Sequence, residues 1–256
     1  MHDFSNSTVR DIALAYPQTT RVFEEFKIDY CCGGRRGLDD VCQNIGIDPQ
    51  MLKTRLDAVL TQAEPGQIFP EHLPPSQLID HIVTTHHEFT KSEIGRLNGL
   101  MDKVCGKHGQ QHQELYRLRE IYTKMANDML MHMQKEEMML FPFIKQMALA
   151  ASGAYPAFAP PFGTVNNPIR TMMAEHETAA EEFRQMHEVT NEFLFPEDAC
   201  PSFRALYAGL QDLERDLHRH VHLENNVLFE QALELEAKVF GDSLEANSSL
   251  CCHTGH

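Results

Sequence analysis

One motif occurs twice in this chain and constrains its fold more than any other feature. A histidine is followed four residues later by a glutamate at only two places, His132/Glu136 and His220/Glu224. Each pair belongs to a longer pattern, Asp-x3-His-x3-Glu-x3-Leu-Phe. Four residues are about one helical turn, so each pair projects from one face of a helix. The duplication predicts an internal repeat of helices that each present an imidazole and a carboxylate.

Further histidines precede each copy of the motif on an earlier helix. His87 stands 45 residues before His132, and His176 stands 44 residues before His220. The spacing does not decide between His87 and its neighbour His86. Each half of the repeat then contributes one single histidine and one histidine–glutamate pair. Together the two halves predict a bundle interior with four imidazoles and two carboxylates, a set able to hold two metal ions with the glutamates bridging them.

The donor types narrow the choice of metal. Imidazole mixed with carboxylate suits iron, manganese or zinc, and no cysteine is placed to compete. Six protein ligands on two ions leave open coordination positions. Asp128 and Asp216, one turn before the paired histidines, are predicted to orient the ligand imidazoles. Burying such groups without metal would be costly, so the sequence predicts a metal centre.

Other histidine pairs are interpreted as lying outside this centre. His218 and His222 are also four residues apart, but on a straight helix they point roughly 160° away from His220. They are therefore predicted to face solvent. His108 and His112 stand in a glycine-flanked stretch and are predicted to be loop residues.

The first part of the chain predicts a small helical unit. Residues 1–62 contain short apolar patterns and an Asp48-Pro49 pair that suits a helix start, and they are interpreted as an N-terminal helical domain with vicinal cysteines. Four prolines and a glycine in residues 63–75 predict a linker.

Helical periodicity without strands dominates the remainder and predicts an all-α protein. Residues 76–240 are interpreted as an antiparallel four-helix bundle. Its third helix is predicted to reach about Phe195, and Pro142 is predicted to kink or shorten the second. Residues 241–256, which end in CCHTGH, are predicted to be a flexible tail.

The charge of the chain argues against several partners. Asp and Glu number 37 against 22 Lys and Arg, which gives a formal net charge of -15. Such an acidic surface repels phosphate, so nucleic acid and anionic membranes are not expected partners. No run approaches the roughly 18 apolar residues of a membrane span, and the first residues lack the pattern of a signal peptide. The predicted location is the cytoplasm.

Vicinal cysteines mark the N-terminal unit. The chain has 7 cysteines, an odd number that does not suggest a disulfide framework. Cys31 and Cys32 are adjacent, and because a vicinal disulfide ring is strained they are interpreted as two thiols. Glycines 33–34 would allow a sharp turn, and arginines 35–36 would favour the thiolate. From these residues alone, a redox or iron-handling role and a buried structural role are equally supported.

Three segments carry a resemblance to a known family. Tyr30-Cys31-Cys32-Gly33-Gly34, HMQKEEMMLFPFIKQ and HVHLENNVLF resemble the di-iron Repair of Iron Centers family of iron–sulfur cluster repair proteins, over about residues 8–236. The resemblance implies a hemerythrin-like bundle behind the small N-terminal domain. It also favours a redox or iron-handling role for the cysteines. Glu230 stands where the family usually has proline, a difference predicted to alter only local packing.

The resemblance also implies a ligand set. It favours His87 over His86, because the family places this ligand six residues after the histidine of its DHIV segment, here His81. Glu136 and Glu224 would bridge two iron ions alongside an oxo or hydroxo group. The implied ligands are His87, His132, Glu136, His176, His220 and Glu224.

Several functions fit such a centre. The resemblance implies repair of clusters damaged by nitrosative or oxidative stress, with iron supplied to damaged iron–sulfur proteins or their assembly scaffold. Nitric oxide reduction at a diferrous pair is the enzymatic alternative. An oxygen-binding hemerythrin would carry another histidine four residues after His176, where this chain has Ala180. Ferritin-like oxidases use Glu-x-x-His spacing instead, and a structural zinc bundle is the remaining alternative.

Overall fold

The structure is a computed structural model that describes residues 4, 7–61, 69–156 and 160–250. Within these residues every regular element is a helix, and the sole β feature is an isolated bridge between Thr8 and Gly37. The prediction of an all-α protein is confirmed. Among the described helices, none combines the length and the apolar composition of a membrane span.

The N-terminal unit consists of short helices around a core of its own. A capping box between Thr8 and Asp11 starts the first helix. The core includes Phe23, Leu52 and Leu56, which are fully buried. The helices of this unit are α1 (Val9–Ala15), α2 (Thr20–Glu25), α3 (Leu38–Ile45) and α4 (Pro49–Thr61).

The described part of the predicted linker is held against the rest of the molecule. Pro70–His72 forms a 3-10 turn. The Glu71 carboxylate is buried and forms an ion pair with Arg219. Burial would raise the pKa of this carboxyl, but hydrogen bonds with His222 and Arg219 lower it to about 2.

Four long helices form the bundle, and π-helical segments interrupt three of them. The first helix comprises α5 (Pro75–His81), a π segment (Ile82–His87) and α6 (Glu88–His108). The second comprises α7 (Glu114–Lys135), a π segment (Glu136–Leu140) and α8 (Phe141–Ala151). The third is α9 (Asn166–Thr190), and the fourth comprises α10 (Pro201–Leu223), a π segment (Glu224–Leu228) and α11 (Phe229–Leu250). Because α5 packs on α8 and α6 on α7, the first two helices run antiparallel, while α7 packs on α9 and α6 on α10.

Two apolar clusters fill the bundle and leave a polar layer between them. Met133 and Leu217 belong to one cluster. Leu140 and Leu223 belong to the other. Glu136 lies between these residues on the second helix and His220 lies between them on the fourth, while His132 and Glu224 directly adjoin Met133 and Leu223. The repeated motif therefore lies at mid-height of the bundle.

Two helix ends differ from the sequence prediction. The third helix ends at Thr190 and does not reach Phe195, because residues 191–193 all have positive φ. The Thr190 hydroxyl accepts the Phe193 N–H at 3.0 Å and fixes this reversal. The fourth helix continues to Leu250, beyond its predicted end at about Phe240. The cysteines and histidines of the predicted tail, 251–256, lie outside the described residues.

Pro142 does not end the second helix. It stands in the first turn of α8, directly after a π segment. The fourth helix has a π segment at the equivalent place in the repeat, where Glu230 replaces the proline. The π segment therefore follows the repeated motif and does not depend on proline.

Candidate metal centre

Three of the predicted ligands stand at the ends of the π segments. The first segment ends at His87, the second begins at Glu136 and the third begins at Glu224. Such bulges insert an extra residue into a turn and recur at functional sites. In the third segment, Glu224, Asn225 and Asn226 are all buried, so three consecutive polar side chains lie inside the protein.

The structure brings all six predicted ligands into one buried layer. Their donor atoms form two groups, and within each group the atoms lie within 4.8 Å of one another. Both glutamates belong to both groups. The first group combines the first and fourth helices through His87 and His220, and the second combines the second and third helices through His132 and His176. Each group therefore takes one histidine from each half of the repeat.

The imidazoles approach one another through their Nε2 atoms. His87 Nε2 lies 3.1 Å from His220 Nε2, and His132 Nε2 lies 2.9 Å from His176 Nε2. Two nitrogens bound at right angles to one ion, each about 2.1 Å from it, would be about 3 Å apart. Both nitrogen pairs therefore have the spacing of ligands to a shared ion.

The two glutamates lie between the nitrogen pairs. Glu224 Oε1 is 2.9 Å from His220 Nε2, and its Oε2 is 3.2 Å from His176 Nε2. Glu136 Oε2 is 3.5 Å from His87 Nε2 and 3.4 Å from the Nε2 of the histidine one turn before it. Both carboxylates thus reach both groups.

Three of the four buried carboxylate oxygens lack a hydrogen-bond donor. Both oxygens of Glu136 and Oε2 of Glu224 form no hydrogen bond in the part of the chain that the structure describes. An unpaired buried charge is expensive, and protein carboxylates so placed are paired or coordinate metals. The donor set fits a cation in each group.

Burial and mutual repulsion set the protonation of these groups. Burial raises the pKa of Glu136, and the charge of Glu224 raises it further. Burial lowers the pKa of His220 to about 3. Burial alone would lower the pKa of His132, but Glu136 and the neighbouring carboxylates outweigh burial and raise this pKa to about 9. The cluster distributes protons unevenly among chemically similar groups, and a divalent cation would displace them.

The residue after each repeated glutamate orients an imidazole. Glu137 Oε1 accepts from His87 Nδ1 at 2.7 Å, and Asn225 Oδ1 accepts from His176 Nδ1 at 2.9 Å. Such acceptors fix the tautomer and aim Nε2 at a metal. Neither residue was predicted from the sequence, although each is polar and holds the same position in the repeat, which was the signal available.

The repeat is less symmetric at the residue before each single histidine. In the third helix this residue is Glu175, whose Oε2 accepts from His132 Nδ1 at 2.8 Å. In the first helix it is His86, whose ring stacks parallel to His220 at 5.8 Å. His86 Nδ1 turns to Asp216 Oδ1 at 2.9 Å. His86 is therefore outside the cluster.

The role predicted for the repeated aspartates is wrong. Asp128 is exposed and pairs with Lys124 at 2.9 Å. Asp216 contacts His86, which is not one of the six. Each aspartate lies one turn before its histidine, whereas the acceptors that orient the imidazoles come from other helices.

The exposure predicted for His222 is also wrong. His222 is fully buried, whereas His218 is half-buried. The ring of Tyr30, from the N-terminal unit, packs edge-on against His222 at 5.2 Å. Asn226 Nδ2 lies 3.1 Å from His222 Nδ1. The N-terminal unit covers the helix face that the bundle alone would expose.

One carboxylate shapes the loop of the vicinal cysteines. Asp29 accepts backbone N–H groups of Cys31, Cys32 and Gly33 at 2.9, 3.0 and 2.8 Å. A Cβ on Gly33 would lie 2.8 Å from Asp29 Oδ2, and one on Gly34 would lie 2.6 Å from a backbone oxygen. The two glycines are needed for these close approaches.

The thiol of Cys31 is not activated as the sequence predicted. A hydrogen bond with Cys32, burial and the charge of Asp29 raise the pKa of Cys31 well above its usual value. Arg35 is exposed and lies 3.6 Å from Glu230. Glu230 therefore does more than alter local packing, because it pairs with the N-terminal unit.

The cysteine loop rests directly on the third π segment. Asn226 Nδ2 donates to the backbone oxygens of Tyr30 and Cys31, both at 3.2 Å. Arg10 Nε donates to Asn226 Oδ1 at 2.8 Å. Asn225 Oδ1 already accepts from His176 Nδ1, and Asn225 Nδ2 lies 3.8 Å from the Cys32 sulfur. One side chain therefore joins the dithiol to the metal centre.

Comparison with known proteins agrees with this arrangement. Residues 5–60 match a Domain of Unknown function (DUF542), and residues 78–232 match the Hemerythrin HHE cation binding domain. The iron–sulfur cluster repair protein YtfE of Yersinia pseudotuberculosis serotype IB (strain PB1/+) is 31% identical over 235 residues, which are 91% of this chain and 100% of the relative. The protein of the same name from Yersinia pestis (strain Pestoides F) is 30% identical over the same shares. The chain belongs to the hemerythrin HHE cation-binding family and, within it, to the iron–sulfur cluster repair proteins.

Proposed function

We propose that this protein holds two iron ions and repairs damaged iron–sulfur clusters by supplying that iron. The observation that carries the proposal is the pair of buried donor groups that share Glu136 and Glu224. The names of the relatives supply the cluster-repair context. The proposed iron ligands are His87, His132, Glu136, His176, His220 and Glu224.

The glutamates are the proposed bridges between the ions. Glu224 directs one oxygen to each group, and Glu136 Oε2 lies within 3.5 Å of an imidazole nitrogen from each. Glu137, Glu175 and Asn225 hold three of the imidazoles with Nε2 turned inward. The centre is thereby formed before iron arrives.

Iron is the cargo of this proposed reaction, and Cys31 and Cys32 are the groups that receive it. A ferrous ion would exchange imidazole and carboxylate donors for the two sulfurs, with loss of the two thiol protons to solvent. No electron is transferred in this step. The 3.8 Å contact between Asn225 and the Cys32 sulfur supports an acceptor next to the centre. The proposed recipients are damaged iron–sulfur proteins or their assembly scaffold, in the cytoplasm.

Nitric oxide reduction at the same site is the second candidate. The six residues provide fewer donor atoms than two six-coordinate ions accept, which leaves positions for small molecules. Two ferrous ions would supply the two electrons that, with two protons, convert two molecules of nitric oxide to nitrous oxide and water. Oxygen carriage is less favoured, because Ala180 replaces the further histidine and the cysteines would have no role.

The proposal can be tested by iron transfer without oxygen. Protein loaded with ferrous iron is mixed with a dehydratase whose cluster has lost iron, and recovery of dehydratase activity is followed. We expect Cys31→Ser/Cys32→Ser to keep its iron yet restore the client at least several-fold more slowly than Cys105→Ser, a buried-cysteine control. Equal rates would overturn the role of the vicinal thiols. Consumption of nitric oxide without client recovery, even by the unmodified protein, would favour the second candidate.

A further inference from the structure

A second set of metal-ligating side chains gathers at the far end of the bundle. His108 is the last residue of α6, His112 lies in the turn before α7, and Asp198 precedes α10. Donor atoms of these three residues lie within 4.8 Å of one another. Cys200, at the start of α10, places its sulfur 3.2 Å from His108 Nε2. The sequence prediction that both histidines are loop residues is wrong for His108, which is helical and buried.

The two imidazoles are held in place by packing and by a carboxylate. His108 and His112 both rest against the ring of Phe203, with centroids 5.4 and 5.5 Å away. Glu114 Oε1 lies 3.1 Å from His112 Nδ1. The opposite nitrogen, His112 Nε2, faces Asp198 at 3.0 and 3.2 Å. A carboxylate on one imidazole nitrogen and a ligand position at the other is the arrangement of metal-bound histidine.

The spacing is close to that of a tetrahedral ion. Ligands bound to Zn²⁺ at 2.0–2.3 Å are about 3.3–3.8 Å apart, so the donor atoms of His108, His112 and Asp198, which lie within 4.8 Å of one another, need movements of about an ångström or less. The Cys200 sulfur lies 3.2 Å from His108 Nε2 but outside that group, so it would have to turn toward the other two ligands. The exposed Asp198, with 58% of its side chain accessible, is free to make such a movement and leaves the site open to solvent.

We propose that His108, His112, Asp198 and Cys200 form a second metal site, which takes one Zn²⁺ or a similar borderline divalent ion. Two imidazoles, a carboxylate and a thiolate are all common zinc ligands. The site differs from the buried histidine–glutamate layer by its thiolate and its access to solvent. It joins the turn after the first bundle helix to the connection before the fourth, so the bound ion fastens the two ends together.

Cobalt is the probe that separates this site from the iron centre. Thiolate ligation of Co²⁺ produces a sulfur-to-metal charge-transfer absorption that imidazole and carboxylate do not. The full-length protein is titrated with Co²⁺ after its bundle centre has been filled with iron. In the Cys31→Ser/Cys32→Ser background, which removes the vicinal thiols, we expect a charge-transfer component that saturates at one Co²⁺ per chain, is lost on adding Cys200→Ser and is retained on adding Cys105→Ser, a buried cysteine one turn before His108.

Two further measurements keep the proposal falsifiable. Asp198→Asn changes an exposed side chain, so it should fold normally and weaken Co²⁺ binding at least tenfold while the charge-transfer absorption persists at saturation. Zn²⁺ should displace the Co²⁺ and abolish the absorption. Identical titrations for the unmodified protein and Cys200→Ser would overturn the site, and so would an unchanged affinity in Asp198→Asn.

Discussion

At the scale of single residues, the main feature of the centre is that most of its buried carboxylate oxygens have no hydrogen-bond donor. Glu136 and Glu224 are fully buried, and three of their four oxygens accept no hydrogen bond in the described structure. Desolvation of an unpaired carboxylate costs more than most single interactions return. The folded chain tolerates these groups because a cation can occupy the space between them.

Removing either glutamate should therefore remove metal. We expect Glu136→Ala and Glu224→Ala to retain less than about half the metal of the unmodified protein, because each carboxylate serves both groups. His218→Ala is the matched control, since His218 lies on the same helix as Glu224 but is half-buried and outside both groups. Metal per chain is measured after anaerobic purification. Equal losses in all three variants would contradict the ligand assignment.

Asn225 permits a finer test, because its amide oxygen and its amide nitrogen contact different partners. Asn225→Leu keeps the size but cannot accept from His176 Nδ1, so iron affinity should decrease about 10–100-fold. Asn225→Asp keeps an acceptor oxygen but loses the donor that faces the Cys32 sulfur. Its iron affinity should remain within a few-fold of the original. Competition with a chelator measures both, and equal affinities for the two variants would show that the acceptor is unimportant.

At the scale of elements, helix packing depends on small residues at a few positions. Gly209 of α10 faces α6: a Cβ there would contact Arg96 and lie 2.8 Å from both Glu93 Oε1 and Leu97 Cδ2. Gly99 of α6 is also inside a helix, but a Cβ there would meet nothing within 4 Å. A Cβ at the first position would therefore have to displace side chains of α6, whereas one at the second would displace nothing.

Alanine at the two glycines should change stability in opposite directions. Gly99→Ala should raise the free energy of unfolding by about 0.5–1 kcal/mol, because alanine restricts the unfolded chain and favours helix. Gly209→Ala should lower it by about 1–3 kcal/mol through overpacking between the two helices. Denaturant unfolding of both variants is the measurement. A stabilising Gly209→Ala would mean that α6 and α10 separate easily at this point.

A histidine–carboxylate pair ties the third helix to the fourth. His187 Nε2 lies 2.8 Å from Glu214 Oε2, and this hydrogen bond raises the pKa of His187 above its usual value. A raised folded-state pKa stabilises the protein fully below the unfolded value of about 6.5. That stabilisation is lost as the pH rises through the folded-state pKa.

Replacement of this histidine should therefore matter most in acid. We expect His187→Gln to destabilise the protein by about 1 kcal/mol near pH 6 and by less near pH 9, because the charge-assisted bond needs the imidazolium. Glu214→Gln should show the same pH dependence, and the double variant should cost no more than either alone. Denaturant unfolding at both pH values provides the numbers. A loss that grows toward pH 9 would contradict the assigned direction.

At the scale of the whole molecule, the N-terminal unit completes the bundle. Tyr30 covers His222, and Asn226 binds the backbone of the cysteine loop. Arg10 reaches the same asparagine and also pairs with Glu230 at 3.2 Å. These contacts hold the dithiol over the third π segment. Access to the thiols should therefore depend on the junction between the two units.

Arg10→Ala should loosen that junction and expose the thiols. We expect Cys31 and Cys32 to react with a maleimide at least several-fold faster in this variant, because hydrogen bonds to Asn226 and the ion pair are removed. Arg35→Ala is the control, since Arg35 is exposed and lies 3.6 Å from the same glutamate. Mass spectrometry of the cysteine peptide gives the rates. Equal rates in both variants would show that Arg10 does not govern access.

Much of the fold and of the centre can be predicted from the sequence. The period of four residues between His132 and Glu136, and between His220 and Glu224, fixes one helical face in each case. Repetition of the pattern predicts that these faces meet, and the all-α architecture follows from the absence of strand periodicity. The two halves also predict that glutamates are shared between two groups of donors.

What only the tertiary structure decided concerns contacts between helices that are distant in sequence. The spacing of the repeat by itself leaves His86 and His87 open, because a π segment ends at His87 and a regular helical period cannot express the register shift that it introduces. His222 is buried because another unit covers its face. The gathering of His108, His112, Asp198 and Cys200 is invisible in the chain, since about 90 residues separate its halves. Sequence period specifies which side chains share a face, whereas packing specifies what that face meets.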